Sequence, residues 1–120
     1  MTWKPCLGAV YLGDNKTLFR VWAPHAATVE VHLLTPADRR VPLARRGEYA
    51  LGVVAGVPVG SRYLYCLDGR QERPDPASRC QPEGVHGPSQ VVDLNFPWTD
   101  NQWLGWPLQD YIIYAVHVGT

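Results

Sequence analysis

The sequence has no excess of either charge. Eleven basic residues balance eleven acidic ones over 120 residues, so the formal net charge is zero. Without a basic stripe there is no electrostatic footprint for nucleic acid. A peripheral membrane role lacks its electrostatic half for the same reason. No apolar run approaches the roughly 18 residues that span a bilayer. The N-terminus, Met1-Thr2-Trp3-Lys4-Pro5-Cys6, carries no apolar stretch after its single Lys, which is not the pattern of a signal peptide; the expected compartment is the cytoplasm. Cysteine is scarce. Cys6, Cys66 and Cys80 are odd in number, widely spaced and free of any C-x-x-C pair, which argues against a disulfide framework and against zinc or redox chemistry. Cys66 lies inside an apolar strand pattern and reads as a plain buried thiol. Internal repeats, charge runs and low-complexity tracts are lacking too. Ser61, Ser78 and Ser89 sit in no G-x-S-x-G elbow, and no glycine-rich phosphate loop occurs. His25, His32, His86 and His117 show no metal spacing, and no cofactor is implied.

What the chain does have is apolar residues at 46% against 18% charged, with glycine and proline at eleven each. That composition excludes a disordered polar chain, and the length suits one domain rich in turns. Short alternating runs separated by turn residues read as all-β. Leu7–Tyr11 is a first strand and Gly13-Asp14-Asn15 a turn. Thr17–Trp22 is a strand that Pro24 ends, because proline donates no ladder hydrogen bond. In Thr28–Leu33, Val29, Val31 and Leu33 point one way while Thr28, Glu30 and His32 point the other, so His32 is expected on a solvated face. Arg39–Ala44 fits an edge strand, with Pro42 favouring the edge. Glu48–Val54 and Arg62–Leu67 follow, the latter closed by a hairpin-type turn at Asp68-Gly69. From Arg70 to Gln90 the prolines and glycines predict no regular structure, and Arg70, Glu72, Arg73 and Asp75 are expected to be solvated or to bridge between domains. Gln90–Leu94 returns to strand pattern. Phe19, Val21, Val29, Val31, Leu33, Tyr63 and Tyr65 are the predicted core.

Tyr111–Val118 is nearly continuously apolar, as a strand buried on both faces of a parallel sheet would be. Parallel partners need crossovers of a dozen or more residues. The pattern therefore predicts a small β-sandwich, a connector, and the first strand of a further domain.

Four segments, in order, resemble a known family. Phe19-Arg20-Val21-Trp22-Ala23-Pro24, with Ala27 and Val29, is similar to the F-x-V-W-A-P-x-A-x-x-V signature of the early-set immunoglobulin-like domain. That domain precedes the catalytic barrel in glycogen branching enzymes, isoamylases and relatives in glycoside hydrolase family 13. Tyr63–Gly69 resembles the Y-x-Y-x-L-D-G strand and turn of the same domain. Pro74–Ser89 resembles the connector PDPASR-x-QP-x-GVHGPS of the malto-oligosyltrehalose trehalohydrolases. Ile113–Thr120 resembles their first barrel strand, Y-E-x-H-V-G-T, with Ala115 where the family usually carries Glu.

The resemblance implies an immunoglobulin-like antiparallel β-sandwich over residues 5–94, a Trp-rich connector over 95–110, and the first strand of a (β/α)8 barrel over 111–120. It implies an accessory role beside a barrel that hydrolyses the α-1,4 bond next to a terminal trehalose. The retaining carboxylates of that reaction lie on later barrel strands, so no catalytic residue is expected here. Partners would be the catalytic barrel and an α-glucan or maltooligosaccharide, as in the related carbohydrate-binding module family 48. An N-terminal domain of a branching enzyme is the alternative parent. Trp22, Trp98, Trp103, Trp106 and His117 are the candidate contact residues, to sugar or between domains. Aromatic faces stack on sugar C–H faces. Clustered Trp beside a junction also supplies large apolar area, and His117 ends the predicted barrel strand, where barrel active sites are built.

Overall fold

Period-two alternation of β-branched and aromatic residues with polar ones makes each segment a ribbon with one apolar face. Two such ribbons' faces bury each other. In the computed structural model, which describes residues 6–119, the strands are β1 Gly8–Gly13, β2 Lys16–Trp22, β3 Val29–Thr35, β4 Arg39–Pro42, β5 Ala44–Arg46, β6 Tyr49–Ala55, β7 Arg62–Leu67, β8 Gln71–Arg73 and β9 Ser89–Gln90. Pro5 and Thr120, the outer limits expected for the sandwich and the barrel strand, lie outside the described residues.

Sheet A has the order β1-β2-β6-β5 and sheet B the order β4-β3-β7-β8, with β9 also pairing β7. Every pairing is antiparallel. The architecture is the all-β, immunoglobulin-like sandwich expected. Phe19 and Val21 of β2 face Val29, Val31 and Leu33 of β3 and Tyr63 and Tyr65 of β7, and all seven are buried. Phe19 meets Tyr63 edge-on, with ring centroids 4.9 Å apart at 71°, and Tyr65 at 6.5 Å and 87°. Such edge-to-face pairs each add about 0.5–1.5 kcal/mol beyond area burial. The β7–β8 hairpin turns at Asp68 and Gly69, φ 52° and 67°. Arg70 N donates to Leu67 O at 3.0 Å to close this turn, and positive φ at its two central residues suits the twist of the flanking strands.

The structure corrects three expectations. Arg39–Ala44 is not one edge strand. Pro42 ends β4 in sheet B, Leu43 N donates to Val29 O at 2.9 Å, and the chain crosses to pair Ala44 with Leu51 in sheet A. Residues 70–90 are not free of regular structure, because β8 and β9 share the outer edge of β7, opposite Tyr65–Leu67 and Arg62–Tyr63. Gln90–Leu94 does not form a strand beyond Gln90; after that residue the connector has passed the end of β7. Residues 111–118, expected to pair as a strand only within a further domain, are exposed here and have no ladder partner among the described residues. A single 3-10 turn, Leu108–Asp110, precedes them.

Candidate functional site

Segment 74–90 is a strap rather than a loose linker. It crosses the open side of the sandwich, from β8 of sheet B to β1 of sheet A and back. Asp75 anchors it. The residue is 4% exposed; Oδ2 accepts from the Tyr63 hydroxyl at 2.6 Å and the Tyr65 hydroxyl at 3.4 Å, while Oδ1 accepts from Ala77 N at 2.8 Å. Asp75 N in turn donates to Ser89 Oγ at 3.2 Å. Arg79 donates to two carbonyls of the opposite sheet's edge, Ala9 O at 3.1 Å and Leu7 O at 2.6 Å. Burial pushes the Asp75 carboxyl above its ordinary range, against the lowering pull of the Tyr63 hydrogen bond. Burial first, and the Asp75 charge second, hold both phenols well above theirs. Asp75, expected to be solvated or to bridge between domains, is thus the polar centre of the core's end. A buried carboxylate is tolerable because it is fully hydrogen-bonded.

The outer face of sheet B is polar and interlocked. His32 Nε2 pairs with Asp38 at 3.0 Å and Nδ1 with Glu72. Arg40 reaches Glu72 at 3.2 Å and covers the Cys66 sulfur at 3.2 Å. His32 was expected to be solvated. It does point outward, yet it is only 9% exposed because Asp38, Glu72 and their neighbours close over it. Cys66 is buried, as expected.

The outer face of sheet A is different. β2 and β6 set Trp22 opposite Tyr49, Arg20 opposite Leu51 and Leu18 opposite Val53. Trp22 is 54% exposed, its indole N–H donating to Glu48 Oε2 at 3.1 Å. Beside this pair, Cys6, Leu7, Arg20, Arg46, Tyr49 and Leu51 line a groove of about 460 Å³. A sequence reading finds Trp22 but not Tyr49, because their neighbourhood depends on the β2–β6 register.

The remaining candidates lie on the 91–119 segment. Trp98 packs on Phe96, with centroids 4.6 Å apart, and Trp106 N donates to the Tyr111 hydroxyl at 3.4 Å. Trp98, Trp103, Trp106 and His117 are all exposed. The five candidates are therefore spread over a sheet face and a segment, not gathered in one site. Among the described residues, no group of three or more His, Cys, Asp and Glu is arranged to hold a metal ion.

This sandwich and its face can be set beside known proteins. Residues 6–82 match the family Carbohydrate-binding module 48 (Isoamylase N-terminal domain). The chain belongs to that family. The malto-oligosyltrehalose trehalohydrolase of Deinococcus radiodurans is 43% identical over 116 residues, covering 95% of this chain and 19% of the relative. That of Saccharolobus solfataricus is 37% identical over 109 residues, covering 91% and 19%. The module 48 chain thus spans about a fifth of the length of these relatives. Among solved structures, the type I pullulanase of Bacillus subtilis with maltose superposes with a TM-score of 0.65 at 25% identity, over 79% of this chain and 14% of that one. The matched residues take in Trp22, Tyr49, the strap's Asp75 and Arg79, and all of sheet A.

Proposed function

We propose that this module is the accessory domain of an α-glucan-active enzyme of glycoside hydrolase family 13, and that its parent is a malto-oligosyltrehalose trehalohydrolase. The parent cleaves the α-1,4 bond next to a terminal trehalose and releases trehalose, as a cytoplasmic step of trehalose formation. The module supplies no catalytic carboxylate. It rests against the barrel, and residues 95–110 and 111–120 serve as connector and first barrel strand. Trp98, Trp103, Trp106 and His117 then meet the barrel or its sugar.

The observation that carries this reading is the 43% identity to the Deinococcus radiodurans enzyme over 95% of the chain. The exposed apolar run from Phe96 to Val118 agrees with it, since surface of that kind marks contact with a partner. The test replaces the matching segment of that enzyme with this chain and measures trehalose release from maltooligosyl trehalose. Activity within about tenfold of the parent, about 1.4 kcal/mol in barrier, is the expected result. A folded but inactive hybrid overturns the reading, as does trehalose release by this chain alone.

A second reading is a glycan-binding module, favoured by the exposed Trp22 beside Tyr49. It requires maltoheptaose to change the tryptophan fluorescence of the chain, and Trp22→Ala to abolish that change. No response at millimolar sugar removes it.

A further inference from the structure

Building on the accessory-domain reading, we infer that the outer face of sheet A seats the catalytic domain, and that the partner surface is an apolar patch edged by carboxylates. The first ground is the contrast between the two outer faces. Sheet B turns outward a polar network of His32, Arg40 and Glu72. Sheet A turns outward Val10, Leu18, Leu51 and Val53 beside Trp22 and Tyr49. Trp22 and Val53 are 54 and 57% exposed. A sheet face built for water alternates to polar residues; a contiguous apolar one marks an interaction surface.

The second ground is charge. None of β1, β2, β5 and β6 contains Asp or Glu. The charged side chains these strands place around the apolar patch, Lys16, Arg20 and Arg46, are therefore all cations, in a chain whose net charge is zero, and the carboxylates near them, Asp14 and Glu48, belong to turns. The nearby Glu48 already holds the Trp22 indole. Two copies meeting through this face would set cation against cation, which is costly. A neutral glucan leaves the aliphatic side chains unmatched, because its rings stack on aromatic faces and its rim wants hydrogen bonds. A protein surface with apolar residues and carboxylates satisfies both features. The third ground is continuity. A second groove, lined by Leu7, Arg20, Trp22, Pro76 and Ala77, joins this face to the strap that leads toward the exposed tryptophans.

The test measures maleimide labelling of Val53→Cys in a Cys6→Ser/Cys80→Ser background, in the isolated chain and in the hybrid enzyme. Arg70→Cys, at the exposed sheet B hairpin, is the control. Labelling at position 53 is expected to slow by about tenfold or more in the hybrid, as for a site opened only by rare local undocking, with position 70 unchanged. Arg46→Glu is expected to return the rate at 53 toward that of the isolated chain. An active hybrid with equal rates at 53 overturns the docking face while leaving the accessory reading standing; an inactive folded hybrid overturns both. Protection of position 53 in the isolated chain on raising protein concentration assigns the face to a second copy. Protection by maltoheptaose assigns it to a glucan. Either result overturns the inference.

Discussion

The Tyr63 hydroxyl donates to Oδ2 of Asp75 at 2.6 Å, tying the middle of sheet B to the first turn of the strap. The bond spans twelve residues and lies in the core. It makes the strap part of the fold, so the direction in which the chain leaves the sandwich is set by a buried carboxylate and two phenols. A domain that acts by orientation benefits from such rigidity, because small misplacements are costly at a catalytic site.

The acid limb of the stability curve should carry the mark of Asp75. Burial raises its folded-state value above the ordinary carboxylate value of 3.8. The unfolded chain therefore releases this proton first as pH rises. The stabilisation from Asp75 is fully present below the unfolded value and is lost as pH rises through the folded one. Asp75→Asn is expected to flatten that stretch of the urea-midpoint profile. Asp75→Ala strands two phenols and is expected to cost about 2–4 kcal/mol at all pH values. A profile unchanged by Asp75→Asn would show that this carboxyl titrates alike in both states.

The alkaline limb tests the phenols. Tyr63 and Tyr65 are held well above the ordinary tyrosine value, first by burial and then by the Asp75 charge. Stability from both is intact below about pH 10 and falls as pH rises beyond it, because only the unfolded chain ionises there. Tyrosinate absorbance should therefore show two of the six tyrosines appearing only together with loss of the near-ultraviolet circular dichroism of the fold. Tyr63→Phe should reduce the delayed count to one and cost about 1–3 kcal/mol, since Asp75 loses its shortest donor.

How much of this is legible in the chain depends on the range of the interaction. Phe19, Val21, Val29, Val31 and Leu33 sit in clean alternation, so their burial follows from the period alone. Trp22 follows as an outward residue by the same count. β8 does not, because Gln71-Glu72-Arg73 has no strand composition and exists only through its pairing with Tyr65–Leu67. The alternation puts His32 on the outward face but cannot give its surroundings, since Asp38 and Glu72 reach it from other elements. Between Pro74 and Pro76, Asp75 reads as an acid that is solvated or bridges between domains. Its burial depends on Tyr63 and Tyr65, which only the fold brings within reach. Resemblance to a connector motif marked the segment as special, without saying what its acid does.

The strap's contact with β1 depends on a glycine. Gly8 has φ +84°, and a β-carbon there would lie 2.8 Å from Arg79 Nη1 and 2.9 Å from Ala77 O. The guanidinium can swing away, but the carbonyl belongs to backbone held by Asp75. Gly8→Ala is therefore expected to cost about 1–3 kcal/mol from the strained φ alone, and to loosen the strap besides. The expected signature is a lower urea midpoint with faster amide exchange at Ser78, whose N–H donates to Asp75 O. A midpoint within error of the parent's would mean that β1 and the strap separate at little cost.

Cys66 offers a separate check on the outer face of sheet B. Its side chain points outward from β7, yet it is buried, with Arg40 Nη1 3.2 Å from the sulfur. The guanidinium is held there by Glu72, which also pairs with His32. Arg40 thus acts as a lid, its stem and head group covering apolar surface as long basic side chains do. In a Cys6→Ser/Cys80→Ser background, Arg40→Ala should make Cys66 react with a thiol reagent about tenfold faster or more, because reaction no longer waits on a local opening. The fold should tolerate the change, at about 1 kcal/mol for one exposed ion pair. Arg40→Lys keeps the charge near Glu72 but loses the planar fork, so it should restore the ion pair and only part of the protection. Equal labelling rates in all three proteins would mean that other neighbours, not Arg40, shield the thiol.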